Sequence, residues 1–291
     1  MTEVLKNELQ ISDQTFDEER ALYHLHAPHV LRCRFDGPTD GESALKECTD
    51  VRAEQCFFNL RYPFWHCKGV TLADSEMTDL CRAALWYCEN VRMTDNRIHG
   101  VKALRECKGV SIDRCSITST EFGWSVCDLE LNSSTVEGEY LFLRAEDLCM
   151  TELTLKGKYS FQYIKNATLT DCHLQTKDAF WHAENVTLKN CTLQGEYLAW
   201  YSKNLTLINC RIIGTQPFCY CEGLRLIDCE MLEADFCFER SEVDATLTTP
   251  VISIRRPRTG IVRLPSVGEI LEDDEEAKGE ILVSFQAKKE P

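Results

Sequence analysis

The chain has 291 residues and an acidic composition, with 47 Asp and Glu against 32 Lys and Arg and a formal net charge of −15. Binding to a nucleic-acid backbone needs a basic surface, so this charge argues against a nucleic-acid partner. No apolar run approaches the roughly 18 residues of a membrane-spanning helix, and the first seven residues lack a secretion-signal pattern. We therefore expect neither membrane insertion nor secretion.

Residues 1–19 precede any repeating pattern. They contain Ser12 to Thr15 ahead of an acidic stretch, which is typical of a short capping helix or strand. An open end of a repeat protein exposes its core and its strand edges, and so it needs a cover. The sequence predicts an N-terminal cap over residues 1–19.

Residues 20–249 repeat with a period of 19 residues. The copies align on a Val or Leu that follows a turn residue, as in Asn-Val-Thr-Leu from Asn185 and Asn-Leu-Thr-Leu from Asn204. We call that Val or Leu column 0. Two steps of 21 residues interrupt the period, those from Val30 to Val51 and from Val70 to Val91. A fixed period in this range with short apolar runs indicates a solenoid.

Four columns of each copy, 0, +2, +5 and +7, are small or aliphatic, whereas columns +1 and +6 are mostly Thr, Ser, Arg and Glu. Alternation with a period of two over three to five residues is typical of strands. Glycine recurs at column +9, where a corner needs a positive φ. We predict an all-β fold, a single-stranded right-handed parallel β-helix (solenoid) of about 11–12 rungs with three short strands per turn.

The 17 cysteines follow the same columns. Column +5 holds Cys56, Cys115, Cys172, Cys191, Cys210 and Cys229, and column −3 holds Cys48, Cys67, Cys88, Cys107 and Cys221. Stacked rungs lie about 4.8 Å apart, so a disulfide framework is geometrically open. However, Ser and Ala replace Cys freely in both columns, and no zinc-type spacing is present, which favours buried free thiols and no metal. Many reduced thiols predict a cytoplasmic location.

After residue 249 the pattern dissolves. Residues 250–291 hold three β-type segments, which begin at Val251, Gly260 and Glu280, and we predict a C-terminal cap. The acidic run Glu272–Glu276 between the last two segments is interpreted as a solvated loop, with a cation site as the alternative.

Columns −9 to −3, the predicted third strand, carry the candidate site. Column −5 contains all five tryptophans, column −4 is rich in His, Tyr and Glu, and columns −9 and −8 add Tyr, Lys, Arg and Asp. Strict alternation leaves two possibilities, because the tryptophans either pack in the core or line a groove. In the groove interpretation the ligand-binding residues are Arg61, Trp65, His66, Arg82, Trp86, Tyr87, Lys102, Arg105, Glu106, Glu121, Trp124, Tyr140, Tyr159, Tyr163, Asp178, Trp181, His182, Tyr197, Trp200 and Tyr201. Amphipathic rings at rung spacing suit a carbohydrate-like ligand.

Several segments of this face resemble a bacterial family catalogued as domain of unknown function 3737. They include Leu60–His66, Gly100–Cys107, Asp178–His182 and Glu196–Tyr201, and the resemblance covers nearly the whole chain. It implies a pectate-lyase-like right-handed β-helix and no established activity.

Three functions remain open. The first is a non-catalytic binding or scaffold protein for a glycan or a sugar-containing metabolite, without a cofactor. The second is a carbohydrate-active enzyme, a lyase, hydrolase or epimerase, with Lys102, Arg105, Glu106 and Glu121 as candidate catalytic residues. The third is a structural protein whose aromatic face is an oligomer interface. The oligomeric state is left open. Mixed charges and indoles converge in rungs three to five, where we expect the ligand site to be centred.

Overall fold

A computed structural model describes residues 9–284, and these residues form β-structure, turns and loops without any helix. The chain divides into two compact units, residues 1–138 and 139–291, and each is described by itself. Residues 1–8 of the predicted N-terminal cap and residues 285–291 of the predicted C-terminal cap lie outside the described part. Between residues 9 and 284 no helix is long and apolar enough to cross a membrane.

The first unit is built from pairs of strands in successive turns. The strands are β1 (Leu9–Ser12), β2 (Thr15–Phe16), β3 (Pro28–Leu31), β4 (Arg34–Phe35), β5 (Thr49–Glu54), β6 (Phe57–Phe58), β7 (Phe64–Trp65), β8 (Lys68–Ala73), β9 (Glu76–Met77), β10 (Leu85–Trp86), β11 (Glu89–Thr94), β12 (Arg97–His99), β13 (Lys108–Asp113), β14 (Ser116–Thr118) and β15 (Cys127–Asn132), with β16 (Thr135–Glu139) at its end. One parallel ladder runs β1-β3-β5-β8-β11-β13-β15. A second runs β2-β4-β6-β9-β12-β14-β16.

The second unit has the same construction. Its strands are β17 (Glu146–Thr151), β18 (Thr154–Lys158), β19 (Lys165–Thr170), β20 (His173–Lys177), β21 (Glu184–Lys189), β22 (Thr192–Gln194), β23 (Lys203–Ile208), β24 (Arg211–Ile213), β25 (Leu224–Leu232), β26 (Glu242–Leu247), β27 (Val251–Arg255), β28 (Thr259–Leu264), β29 (Val267–Leu271) and β30 (Glu280–Val283). The first ladder runs β17-β19-β21-β23-β25-β26-β28-β30. The second runs β18-β20-β22-β24-β25, and β27 pairs with β29.

The register confirms the period of 19 residues. Val186 pairs with Leu205, and Leu188 pairs with Leu207, so like columns stack on one another. The fold class predicted from the columns, an all-β parallel β-solenoid, is therefore confirmed. It has about 14 turns rather than 11–12. The additional turns come from residues before and after the predicted repeat, because β1 already pairs in register with β3 and β28 pairs with β30.

The first predicted anchor was wrong by two residues. Val30 pairs with Ala53 rather than with Val51, so Val30 belongs to column +2 and Pro28 takes column 0. Column 0 is aliphatic in most copies, but in this turn it is Pro28. The turn between β4 and β5 also holds additional residues, which change the spacing.

The core is filled by like side chains stacked from turn to turn. Phe35 and Phe58 stack with ring centroids 4.8 Å apart in the first unit, and Phe161 lies between Phe142 and Phe180 at 5.1 and 4.8 Å in the second. All five rings are fully buried. A deleted ring would leave a cavity that the neighbouring turns cannot close, because their backbones are hydrogen-bonded in register.

Fifteen of the cysteines are buried free thiols, in agreement with the packing role predicted for columns +5 and −3. Most of these thiols point at backbone carbonyls of the preceding turn, as Cys81 does toward Phe58 at 3.0 Å. Burial raises the pKa of Cys81 and of Cys48 to about 12. Residues 9–284 contain no group of three or more His, Cys, Asp or Glu side chains placed to hold a metal ion.

Candidate functional site

Columns −9 to −3, called the turn face from here on, were predicted as a third strand, and this was wrong. Apart from the two-residue strands β7 and β10 and the last residues of β16, β18 and β20, the segment is a series of turns and bends. Two of its residues have positive φ in the copies before residue 100, and three in the copies from Lys102 to Tyr220, for example Lys102, Leu104 and Glu106 at 61°, 55° and 52°. A left-handed residue other than glycine costs about 1–2 kcal/mol. Hydrogen bonds to the next turn offset this cost, such as that from Glu106 N to Trp124 O at 2.8 Å.

In every copy that holds a tryptophan, columns −7 and −6 point into the core and columns −5 and −4 point out. From Leu104 onward a positive φ at column −6 interrupts the alternation of the chain, whereas Phe64 and Leu85 reach the same arrangement without one. Ala103 and Leu104 are buried, Arg105 is half-buried and Glu106 is exposed. The tryptophans therefore lie half-buried on the surface, which resolves the two possibilities left open by the sequence.

In the first unit, column −5 is a continuous stack of indoles and cations. Trp65 and Trp86 stack at 5.7 Å and 11°. Lys46 lies over Trp65 at 4.6 Å, and the Arg105 guanidinium lies 5.6 Å from Trp86 and 5.0 Å from Trp124. Such contacts stabilise both the cation and the ring by about 0.5–2 kcal/mol. Column −4 runs beside this stack, and there His66 stacks on Tyr87 at 4.9 Å.

Glu121 and its neighbours form the charged centre predicted for rungs three to five. Lys102 Nζ lies 3.5 Å from Glu121, and Arg105 lies 3.7 Å from Glu121 and 3.4 Å from Glu106. Arg105 and Glu121 are each 24% exposed in their side chains, so the cluster is neither fully buried nor open. Arg82 is exposed and forms no ion pair among residues 9–284, and it does not join this cluster.

The other charged residue predicted at the start of this face, Arg61, is also separate from the cluster. It reaches Asp40 at 3.2 Å and Glu42 at 3.8 Å.

One turn earlier, Tyr23 donates a hydrogen bond to Glu47 at 2.7 Å and lowers the pKa of that carboxyl.

The second unit carries an uninterrupted stack of four rings in column −4. The centroids of Tyr163, His182, Tyr201 and Tyr220 follow one another at 4.8, 5.0 and 4.8 Å, with interplanar angles of 9°, 9° and 10°. Tyr163 is 48% exposed and Tyr201 is 41% exposed. The stack presents ring edges with hydroxyl and imidazole groups at regular spacing, because each inner face is covered by its neighbour.

Behind that stack, Trp181 and Trp200 lie parallel at 5.4 Å and 3°. Their indole nitrogens donate to backbone carbonyls of the next turn, Trp181 to Tyr197 at 2.7 Å and Trp200 to Gln216 at 2.8 Å. These hydrogen bonds fix both rings in the surface of the unit. Nearby, Tyr140 and Tyr159 stack at 4.8 Å.

A cleft of about 300 Å³ adjoins the end of the four-ring stack. It is lined by Tyr201, Tyr220, Cys221, Glu222, Arg240, Arg258, Asp274 and Glu276. Except for Tyr201, these residues were not among the predicted site residues. Tyr220 could have been included, since it occupies column −4, whereas Arg258 comes after residue 249, where the pattern dissolves.

Asp178 is the one predicted acidic site residue with a raised pKa. The residue is only 9% exposed, and burial raises the pKa of its carboxyl, opposed by Lys177 and reinforced by Glu196. Lys177 and Glu196 pair with each other at 3.3 Å. A raised pKa brings a carboxyl group closer to the range in which it can act as a general acid.

The profile of one protein family matches residues 9–283, nearly the whole chain, and that family is described as "Protein of unknown function (DUF3737)". The chain belongs to this family. No curated protein matches the chain.

Solved structures with similar topology are distant. A surface protein and adhesin of Streptococcus pneumoniae, PfbA, is 8% identical and has a TM-score of 0.35, with 88% of this chain and 76% of the adhesin covered. The mannuronan C-5 epimerase AlgE4 A-module of Azotobacter vinelandii is 8% identical at a TM-score of 0.30, with 94% and 87% covered. A GH87 alpha-1,3-glucanase catalytic domain is 8% identical at 0.32, with 94% and 63% covered.

Proposed function

We propose that this protein is a non-catalytic carbohydrate-binding protein that uses the turn face. The observation that carries the proposal is the exposed four-ring stack of the second unit, Tyr163 to Tyr220, which ends at a cleft of about 300 Å³. Tyrosine offers an apolar ring and a polar hydroxyl, and a sugar likewise has apolar C–H faces and hydroxyl edges.

The geometry favours a ligand that runs along the stack and ends in the cleft. Along the stack only ring edges are presented, and these suit hydrogen bonds to hydroxyl groups. At Tyr220 the run of rings ends, and the cleft begins with Arg240 in its wall. Tyr220 donates its hydroxyl hydrogen to Glu239 at 3.0 Å, and burial and this hydrogen bond raise its pKa to about 12. Its oxygen is thus held in place at the edge of the cleft, where it can accept a hydrogen bond from a sugar hydroxyl.

The charges of the first unit favour binding over catalysis. Hydrolysis of a glycoside by two carboxyl groups needs one of them protonated. Glu121 lies in ion pairs with Lys102 and Arg105. The hydrogen bond from Tyr23 lowers the pKa of Glu47, which makes that carboxyl a poorer proton donor.

A carbohydrate-active enzyme is the second candidate, and Asp178 is the observation that favours it. Its raised pKa fits a proton donor, and it lies one turn from Glu196 on the same face. In an enzyme, Asp178→Asn abolishes turnover and retains binding. In a binding protein, the parent itself leaves saccharides unchanged on prolonged incubation, and Asp178→Asn makes no difference to this result.

We also propose a reducing compartment, the cytoplasm, as the location. Fifteen buried free thiols, most of them in two stacked columns, support this, because oxidising conditions select disulfides in such arrays. In that setting the ligand is a glycan intermediate or a sugar-containing metabolite rather than bulk polysaccharide. Localisation of the tagged full chain by fractionation tests this, and recovery outside the cytoplasm contradicts it.

A glycan array probed with the purified protein tests the main proposal, followed by calorimetry on the saccharides that bind. Tyr201→Ala should weaken binding at least about tenfold, since a ring contact of 1.4 kcal/mol corresponds to that factor. Ile252→Ala is the matched control, because Ile252 is exposed in the same unit but outside the turn face. Equal affinity of both variants rejects the turn face as the site.

A further inference from the structure

The acidic run of the second unit folds back onto arginines. Arg240 Nε donates to Asp274 at 2.8 Å, and Arg255 lies 3.6 Å from Asp273. Arg256 contacts Glu272. The run is a loop whose residues are mostly exposed, as predicted, and three of its carboxylates also pair with three guanidinium groups. We call residues 272–276 the strap.

A fourth arginine lies beside them without a partner. Arg258 is exposed in the wall of the cleft that also contains Tyr201 and Tyr220, and it forms no ion pair within residues 9–284. A second cleft of about 150 Å³ shares Arg240 and Asp274 with the first. It is also lined by Glu239, Arg255, Arg256, Leu271, Asp273 and Ala277.

The strap satisfies these arginines only in part. The Arg255 Nε atom is buried and has no hydrogen-bond partner within the described part of the chain, although its terminal nitrogens reach Glu239 and Asp273. Arg240 is 63% exposed in its side chain, and ion pairs at such exposure are weak. An external anion with suitable geometry can therefore compete with the strap for this cluster.

We propose that Arg240, Arg255, Arg256 and Arg258, the arginine cluster, form a subsite for the anionic groups of an acidic saccharide, and that the strap occupies it when the ligand is absent. The guanidinium fork matches carboxylate and sulfate oxygens in geometry and charge. The sugar rings of the same ligand would contact Tyr201 and Tyr220, so this inference rests on the proposed function. When no ligand is bound, the carboxylates of the strap occupy the positions on the arginines that the anionic groups of the ligand would take.

The test compares two matched double variants of the full chain by calorimetry. Asp273→Asn/Asp274→Asn neutralises the strap. Glu230→Gln/Asp244→Asn removes the same charge from carboxylates that pair with Arg211 and Arg263 elsewhere in the unit. The probes are hexagalacturonate, its methyl-esterified neutral form, a sulfated hexasaccharide and tripolyphosphate, a polyanion without sugar.

We expect the strap variant to bind hexagalacturonate or the sulfated hexasaccharide about tenfold more tightly than the parent, because two exposed ion-pair competitors have been removed. The control variant should bind with the affinity of the parent. The strap variant that also carries Arg240→Gln/Arg258→Gln should no longer bind more tightly than the parent. The two acidic probes distinguish carboxylate from sulfate as the anion.

Other outcomes overturn the inference in distinguishable ways. Equal binding of the acidic and the neutral hexasaccharide rejects the anion subsite and leaves the proposed function standing. A gain for tripolyphosphate alone rejects a saccharide as its ligand. Binding of no saccharide by any variant rejects the inference and the proposed function together.

Discussion

Trp65 stacks on Trp86 in the same way as Trp181 stacks on Trp200, but only the second pair is hydrogen-bonded. Trp65 Nε1 and Trp86 Nε1 are buried without a hydrogen-bond partner among residues 9–284, whereas Trp181 Nε1 donates to Tyr197 O at 2.7 Å. The same ring column is thus held differently in the two units.

This difference predicts unequal costs of one substitution. Trp181→Phe should lower the free energy of unfolding by about 1 kcal/mol more than Trp65→Phe, because it leaves the Tyr197 carbonyl unpaired whereas Trp65→Phe removes an unsatisfied donor. Urea unfolding of both variants measures the difference. Equal losses, or a larger loss for Trp65→Phe, would contradict the hydrogen-bond assignment.

The buried phenylalanine stack should dominate the stability of the second unit. Phe161→Ala should cost about 3–5 kcal/mol, because the ring lies between Phe142 and Phe180 and its cavity cannot close. Tyr163→Ala in the same turn should cost less than about 1 kcal/mol, since that ring is largely exposed. Chemical unfolding monitored by circular dichroism distinguishes the two, and similar losses would show that Tyr163 also supports the fold.

Asp178 should make stability depend on pH in a definite direction. Its pKa is raised in the folded protein, so the folded state holds the proton more tightly than the unfolded state does. The carboxyl therefore costs no stability below its unfolded pKa, and the cost grows as the pH rises through the folded pKa. Asp178→Asn should stabilise the protein more at pH 7 than at pH 3. A gain that is larger at pH 3 would contradict the sign of the shift.

The thiols should react in two classes. Cys149 is exposed, whereas the fifteen buried thiols include Cys191, whose pKa is raised to about 12 by the neighbouring Cys172 thiol and by burial. Cys149→Ser should therefore remove about one equivalent from the fast phase of a native thiol titration, and Cys191→Ser should leave that phase unchanged. Fast reaction of many thiols in the folded protein would contradict the buried columns.

Much of the fold was predictable from the sequence because core side chains of one column occupy equivalent positions in every turn. The pairing of Leu188 with Leu207 follows directly from their spacing. The turn face was less predictable, because residues such as Phe180 and Leu104 adopt left-handed backbone conformations that residue type does not signal. Hydrogen bonds between turns compensate for the conformational cost of these left-handed residues.

The strap shows a second limit of sequence analysis. Arg240 and Asp274 are 34 positions apart, and no repeat relates them. A run of five acidic residues is typical of a solvated loop, and the arginines that hold it are placed by the fold rather than by a local pattern. The cleft next to Tyr220 was missed for the same reason.

The most direct test of the central claim uses the tryptophans as reporters, because all five lie in one column of the turn face. A saccharide that binds on the array should be titrated while intrinsic fluorescence is recorded, for the parent protein and for Tyr201→Ala. We predict a saturable change in emission at the dissociation constant found by calorimetry, and a loss of affinity of at least about tenfold in the variant. Calorimetric binding without any change in tryptophan emission, and with undiminished affinity in Tyr201→Ala, would contradict carbohydrate recognition by the turn face.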